Sequence, residues 1–95
     1  LNTRAEGIRT EQCGELTFPI IKEYIEPDDV FTVTDEEMIQ ATKFVFEKMK
    51  MVIELSAGAA VAAANSKKMI EKYSDIKNLG VILCGGNIDI NKLPW

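Results

Sequence analysis

A turn of small residues, Cys84-Gly85-Gly86-Asn87, is the sharpest feature that could support chemistry in this 95-residue chain. It follows an apolar run, and two successive glycines let the backbone take a positive φ or come close to a phosphate or the edge of a ring. A tight turn that leaves a strand, with Cys84 as a small buried hydrophobic residue, explains the same residues. The turn alone does not decide between a ligand-binding site and a purely structural turn.

Three charged residues are further candidates. Glu54 stands between Ile53 and Leu55, and a carboxylate in such surroundings is either functional or turned to solvent by strand alternation. Lys48 and Lys50 lie near the end of a predicted helix, where the helix dipole favours cations. They are therefore either an anion site or a solvated helix end, and the pattern does not choose.

Composition narrows the class of protein. The chain has no histidine, so the usual general base near neutral pH is missing and a cofactor would supply any difficult chemistry. Cys13 and Cys84 are too few for a disulfide framework and belong to no CxxC pair that could bind zinc. A net charge of −4 without a basic cluster argues against nucleic acid as a partner. With no apolar run of about 20 residues and no secretory pattern, we expect no membrane partner and a reducing, cytoplasmic setting.

The elements that must position these residues alternate between helix and strand. We predict helices over about 17–25, 35–51 and 57–73, and strands over 30–34, 52–55 and 79–84. Thr34 and Glu37 have the spacing of a capping box, and Ser56 is expected to cap the last helix. The alternation predicts an α/β fold with parallel strands, in which ligands collect just beyond the carboxyl ends of the strands.

Six short motifs run in unbroken order along nearly the whole chain. They are residues 5–10 (AEGIRT), 17–21 (TFPII), 29–37 (DVFTVTDEE), 47–50 (EKMK), 53–54 (IE) and 81–89 (VILCGGNID). Together, at consistent spacing, they closely resemble the family of serine racemases and serine/threonine dehydratases. The resemblance implies a pyridoxal-phosphate enzyme of fold type II, the fold of the tryptophan synthase β-subunit. Residues 1–95 would be the carboxyl-terminal part of its large cofactor-binding domain, a parallel-sheet segment.

The resemblance also assigns roles to residues at the cofactor. It implies that Cys84 hydrogen-bonds the pyridine nitrogen and that Gly85 and Gly86 let the strand end approach the ring. Glu54 would lie beside the ring, and Gly7 would belong to a loop near the cofactor. Most racemase-like members have serine at the position of Cys84, and cysteine occurs in some serine dehydratases, which favours dehydration here.

The family further implies a nucleotide site at a subunit interface. Lys48, Lys50 and Asn87 match the positions that contact the nucleotide, so ATP and Mg²⁺ are expected as effectors and a homodimer as the complete assembly. The Schiff-base lysine, the glycine-rich phosphate loop and the acidic metal ligands of the family lie in segments that this sequence does not contain. Since no lysine here matches Ser-x-Lys-x-Arg-Gly, we expect no catalytic residue in these 95 residues and no activity from them alone.

The implied reaction begins with removal of the Cα proton of L-serine or L-threonine. Loss of the β-hydroxyl would then give a keto acid and ammonia, whereas return of a proton on the other face would give the opposite enantiomer. A non-catalytic α/β interaction module, or a truncated paralogue that has lost the chemistry, is the alternative.

Overall fold

Four α-helices form the frame of the protein, and the computed structural model describes residues 2–95. The helices are α1 (Phe18–Tyr24), α2 (Asp35–Phe44), α3 (Leu55–Ala64) and α4 (Lys67–Lys72), with 3₁₀ turns at Glu6–Ile8 and Pro27–Asp29 and a π-helical turn at Val45–Met49. The predicted first helix over 17–25 is confirmed within a residue at each end.

A capping box starts α2, as the sequence predicts. The backbone N–H of Glu37 donates to Thr34 Oγ1 at 3.2 Å, and the backbone N–H of Thr34 donates to Glu37 Oε2 at 2.7 Å. Two N–H groups that the helix leaves unpaired are thereby satisfied. The helix runs into the π-helical turn and ends at Lys50, whose φ is +58°, close to the predicted end at residue 51.

The start of α3 differs from the prediction. Ser56 does not cap this helix, because the helix begins two residues earlier than predicted, at Leu55, and Glu54 occupies the cap position in an extended conformation. The Glu54 side chain makes no capping hydrogen bond. Its carboxylate lies against Gly85 and Gly7 instead.

The predicted helix over 57–73 is two helices. The helix is interrupted at Asn65 and Ser66, because the Ser66 side chain takes over hydrogen bonds of the backbone. Its Oγ donates to the Ala63 carbonyl at 2.7 Å and accepts from the Met69 N–H at 3.2 Å. A serine that satisfies both helix ends is a typical stop and start signal. The short α4 follows this break.

The core lies between α2 and α3. Its buried apolar side chains are Ala5, Met38, Ile39, Ala41, Val45, Ile53, Leu55, Ala57 and Val61. The two helices approach closely at Gly58, where an added Cβ would lie 2.7 Å from the Met38 carbonyl oxygen. This close crossing fixes the amino end of α3, from which Glu54 projects.

Polar contacts attach α4 to the segment that precedes α2. The Tyr73 hydroxyl donates to Asp29 Oδ1, and Lys72 Nζ lies 3.5 Å from the same oxygen. The hydrogen bond from Tyr73 lowers the pKa of Asp29 below its ordinary value. Lys68 Nζ adds a hydrogen bond of 2.8 Å to the Val30 carbonyl.

No β-strand occurs between residues 2 and 95, so the strands predicted over 30–34, 52–55 and 79–84 are not found. A strand is defined by its ladder of hydrogen bonds to a neighbour. Within the described chain, a single backbone hydrogen bond connects segment 52–55 with the end of segment 79–84. The Glu54 N–H donates to the carbonyl of Gly85, the residue that follows that segment, at 3.2 Å. The parallel-sheet prediction is not confirmed, because these segments lack neighbours to pair with.

The chain is thinner and more open than an isolated domain of its length. Its principal extents are 41 × 34 × 19 Å and its radius of gyration is 14.3 Å, against about 12 Å for a compact domain of this size. Apolar side chains of the predicted last strand face outward: Leu79 is 53% exposed and Ile82 is 81% exposed. This apolar surface is suited to burial against further protein.

Candidate functional site

Glu54 brings three separate segments of the chain together. A Cβ placed on Gly85 would lie 2.7 Å from Glu54 Cδ and 3.1 Å from its Cγ, and one placed on Gly7 would lie 3.4 Å from Glu54 Oε1. The backbone N–H of Glu54 also donates to the Gly85 carbonyl at 3.2 Å. The carboxylate therefore packs against bare backbone on both sides.

Two glycines at this site are required by the packing. Gly85 has a φ of +89°, a conformation that residues with a side chain rarely adopt. A Cβ on Gly7 would lie 2.8 Å from Ser56 Oγ, so this loop contacts the first turn of α3 directly. Three of the predicted cofactor residues, Glu54, Gly7 and Gly85, are thus neighbours although 78 positions separate the first glycine from the last (85 − 7).

Cys84 lies at the outer end of the same turn. Leu83, the residue before it, packs against the core cluster that includes Val45 and Ile53. The side chains of Cys84 and Cys13 are both exposed, and neither forms a disulfide. The interpretation of Cys84 as a small buried hydrophobic residue is therefore wrong for this structure, and its thiol faces outward beside the Glu54 contact. A Cβ on Gly86, two positions later, would make a tight contact of 3.3 Å with the Val52 carbonyl oxygen.

A cleft of about 360 Å³ opens beside Glu54. Its lining residues are Arg4, Glu6, Glu54, Leu55, Ser56, Asn87, Ile88, Asp89, Lys92 and Pro94. It therefore joins the loop before Gly7, the start of α3 and the segment after the glycine turn. The lining carries both signs of charge, which suits a ligand that has both an amino and an acidic group.

The three predicted nucleotide-binding residues do not share this cleft. Asn87 lines it together with Glu54. Lys48 and Lys50 lie at the end of the π-helical turn, outside the lining, and both are exposed. Lys50 Nζ donates to the Glu47 carbonyl at 2.7 Å, as a cation at a helix carboxyl end does. The structure groups Asn87 with the predicted cofactor residue instead of with the lysines.

Arg4, Asp89 and Lys92 are cleft residues that the sequence analysis did not identify. Arg4 carries no sequence signal, because it lies in a loop without periodicity. Asp89 and Lys92 follow the glycine turn, where the backbone N–H of Lys92 donates to the Asp89 carbonyl at 3.0 Å. A turn beyond the end of a predicted strand was the available signal for these two.

Comparison with known proteins identifies the family. The family model described as "Pyridoxal-phosphate dependent enzyme" matches residues 1–85. The chain belongs to the pyridoxal-phosphate-dependent enzymes. The matched region contains Gly7, Glu54 and Cys84 and ends at Gly85.

Individual relatives agree with this family. The chain is 42% identical over 93 residues to serine racemase of Bos taurus, which covers 98% of this chain and 27% of that protein. It is 41% identical over 90 residues to L-threo-3-hydroxyaspartate ammonia-lyase of Saccharomyces cerevisiae, covering 95% and 26%. The match to the crystal structure of a pyridoxal 5'-phosphate-dependent aspartate racemase covers all of this chain and 29% of the racemase chain. The two share 49% sequence identity, and the TM-score is 0.94. The chain spans about a quarter of the length of these pyridoxal-phosphate enzymes.

The residues present suit the ring of pyridoxal phosphate. Its planar ring needs a close backbone approach and a polar group at the nitrogen, and this site offers an exposed thiol next to a glycine turn and a carboxylate. Among residues 2–95 there is no group of three or more side chains that could hold a metal ion. The described helices are all too short or too polar to cross a membrane.

Proposed function

We propose that this chain is the carboxyl-terminal segment of the large domain of a fold type II pyridoxal-phosphate enzyme that racemises or deaminates a small amino acid. The observation that supports this most is the convergence of Gly7, Glu54 and the Cys84–Gly86 turn on one place in the fold. These are the residues that the family resemblance assigns to the cofactor. Convergence of that kind is not required by helix packing alone.

A segment explains the open apolar surface better than a complete domain does. The relatives are almost four times longer than this chain, since it covers 27% of serine racemase from Bos taurus. Outward-facing residues of the last predicted strand, such as Ile82, would gain neighbours in a sheet that the rest of the protein completes. The parallel sheet is therefore part of the proposal for the whole enzyme.

The cofactor supplies an electron sink that stabilises negative charge at the substrate Cα. The Cys84 thiol would hold the pyridine nitrogen. A neutral thiol is a weak donor and a weak acceptor, so it would not keep this nitrogen protonated as a carboxylate would. A weaker sink shortens the life of the Cα charge, which favours prompt loss of a β-hydroxyl and hence deamination.

Glu54 would orient the ring. Its carboxylate is held against Gly85 by the packing of the turn and by the hydrogen bond of its own N–H to the Gly85 carbonyl. This arrangement directs the carboxylate at the glycines and leaves the outer end of the turn to Cys84. The two side chains would then act at different edges of the ring.

Serine and threonine are the proposed substrates, because a β-hydroxyl is the leaving group that elimination requires. The names of two relatives favour a second class, aspartate and 3-hydroxyaspartate. Both classes share the α-amino and α-carboxyl groups and an acidic Cα proton. A β-carboxylate adds a second negative charge, so the two classes make different demands on cations near the site.

The first experiment uses the complete protein that contains this chain. Addition of pyridoxal phosphate is expected to produce visible absorption, and L-serine or L-threonine is expected to yield ammonia and the keto acid. L-aspartate and L-threo-3-hydroxyaspartate tested in parallel distinguish the two substrate classes. A complete protein that binds no cofactor would instead support a non-catalytic interaction module or a truncated paralogue.

Cys84→Ser in the complete enzyme is expected to raise the ratio of racemisation to elimination. A hydroxyl makes stronger hydrogen bonds than a thiol, and a difference of this size changes a rate ratio by about two- to tenfold. Chiral chromatography of the remaining substrate measures racemisation, and ammonia release measures elimination. The absorption maximum of the bound cofactor should shift as well.

Cys13→Ser is the matched control for this variant. Cys13 is the other exposed cysteine, and it lies in the loop before α1 and does not line the cleft beside Glu54. It should leave the product ratio and the cofactor spectrum unchanged. If Cys84→Ser also left both unchanged, the thiol would have no role at the ring nitrogen.

The proposal for the whole enzyme also includes partners and regulation. We retain ATP, Mg²⁺ and a homodimer as properties that the family resemblance implies, and a cytoplasmic setting as the composition suggests. Lys48 and Lys50 are exposed, whereas Asn87 lines the cleft beside Glu54. A nucleotide that reached all three residues would have to extend from the cleft to the π-helical turn.

A further inference from the structure

One side chain of α2 accepts the hydrogen bonds that tie down the loop that carries Gly7. Asp35, the first residue of that helix, accepts hydrogen bonds from the Thr3 hydroxyl and from the Arg4 backbone N–H, the latter at 2.9 Å. The Thr3 hydroxyl oxygen in turn accepts from the Ala5 N–H at 3.2 Å. Both carboxylate oxygens of Asp35 are therefore engaged by the loop.

These are the only hydrogen bonds that connect residues 2–10 to the remainder of the described chain. The other bonds of the loop are local, such as the one from the Ile8 N–H to the Ala5 carbonyl. Ala5 adds an apolar anchor, because it is fully buried against Met38, Ile39 and Leu55. A polar anchor and an apolar anchor thus sit side by side.

The anchor lies close to the proposed cofactor site along the chain. Gly7 is two positions after Ala5, and two residues of chain span at most about 7 Å. Gly7 has almost no free space, since its Cβ position is 2.8 Å from Ser56 Oγ and 3.4 Å from Glu54 Oε1. A small displacement of Arg4 and Ala5 would therefore move Gly7 relative to Glu54.

We infer that Asp35 is a positioning residue: it fixes the register of the loop 2–10 so that Gly7 meets Glu54 and the cofactor. This inference rests on the proposed function. Asp35 acts through the loop and does not itself reach the cofactor site. The hydrogen bonds from Thr3 and Arg4 lower the pKa of Asp35, so its carboxylate is charged when it holds the loop.

The first turn of α2 contains two other acidic residues with different partners. Glu37 completes the capping box with Thr34, and Glu36 accepts a hydrogen bond from Gln40 at 3.0 Å. Glu36 has the same charge and lies next to Asp35 on the helix, but its hydrogen bond goes to Gln40 and not to the loop. Glu36→Gln is therefore a control for the loss of one negative charge at the helix amino end.

The test uses the complete protein with Asp35→Asn, Asp35→Ala and Glu36→Gln. Asparagine keeps the size of aspartate and one acceptor oxygen, so Asp35→Asn should fold even where Asp35→Ala does not. In the cofactor-free protein, amide hydrogen exchange of residues 4–8 should accelerate about tenfold in Asp35→Asn and stay unchanged in Glu36→Gln. Titration with pyridoxal phosphate should give a dissociation constant raised about tenfold in Asp35→Asn only.

Thr3→Val is the second variant, because it removes the hydroxyl that links Asp35 to the Ala5 N–H. It should reproduce part of the loss of cofactor affinity, with kcat less affected than KM for the cofactor. Unchanged exchange at residues 4–8, or faster exchange with normal cofactor affinity, would show that Asp35 does not position the loop for the cofactor. Failure of the unmodified protein to bind the cofactor would instead overturn the proposed function itself. The two failures are distinguishable, because the exchange experiment is done without cofactor.

Discussion

Gly85→Ala in the complete enzyme is expected to cost both stability and cofactor binding, and to do so by two separable routes. The φ of +89° at this position costs a residue with a side chain about 1 to 3 kcal/mol. The new methyl group would also lie 2.7 Å from Glu54 Cδ. Glu54 would have to move away from this methyl group, which adds to the stability loss, and its contact with Gly7 would be lost.

The expected result is a lower thermal midpoint together with at least a tenfold weaker affinity for pyridoxal phosphate, since overpacking at a tight contact typically costs about 1 to 3 kcal/mol. Gly80→Ala is the matched control, because a Cβ on Gly80 meets nothing within 4 Å. It should leave both quantities unchanged. A normal cofactor affinity in Gly85→Ala would mean that the position of Glu54 is not important to the cofactor.

A double variant separates the two routes. Adding Glu54→Ala to Gly85→Ala removes the side chain that the methyl group meets, but it leaves the positive φ in place. We expect the part of the stability loss that comes from the contact to be recovered, and the part that comes from φ to persist. Two losses that simply add would show that Gly85 and Glu54 do not interact.

The parts of this fold that local sequence decides were predictable. Thr34 and Glu37 sit three residues apart before an amphipathic run, and their reciprocal hydrogen bonds form as predicted. A cap is made by residues that are neighbours in sequence, so its energy does not depend on the rest of the protein. Ser66 carries the same kind of signal, and the break between α3 and α4 could have been predicted from it.

Features that depend on distant residues were not predictable in the same way. The strand prediction over 79–84 depended on an apolar run, but a strand exists only where a neighbour supplies hydrogen bonds. Asp35 looked like one of several acids that favour a helix amino end, and nothing local shows that its partners are Thr3 and Arg4. Contacts between residues more than 30 positions apart are set by packing of the whole chain.

The candidate site occupies a middle position between these cases. Residue types and the family resemblance named Gly7, Glu54 and Gly85, and the structure places these three together. The resemblance did not supply the reason for the glycines, which is that Glu54 packs against each of them. It also did not supply the cleft that Asn87 shares with Arg4 and Lys92.

Gly58→Ala is expected to destabilise the protein although it places a better helix former within α3. Alanine in a helix interior is favoured over glycine by about 1 kcal/mol, so helix propensity alone predicts a gain. The position is buried, however, and a Cβ there would collide with Thr42 Oγ1 and lie 2.7 Å from the Met38 carbonyl oxygen. Crowding of this kind costs about 1 to 3 kcal/mol, which exceeds the gain.

Backbone crowding distinguishes this position from Gly85. The Met38 oxygen belongs to α2 and already accepts the Thr42 hydroxyl at 2.7 Å, so it cannot move without separating the two helices. Thr42→Ala in the Gly58→Ala background should therefore recover only part of the lost thermal midpoint. Ala60→Gly, at an exposed site of the same helix, measures the propensity difference by itself. A rise in the midpoint of Gly58→Ala equal to the fall in Ala60→Gly would mean that α2 and α3 have room to adjust, and that their close crossing does not fix the position of Glu54.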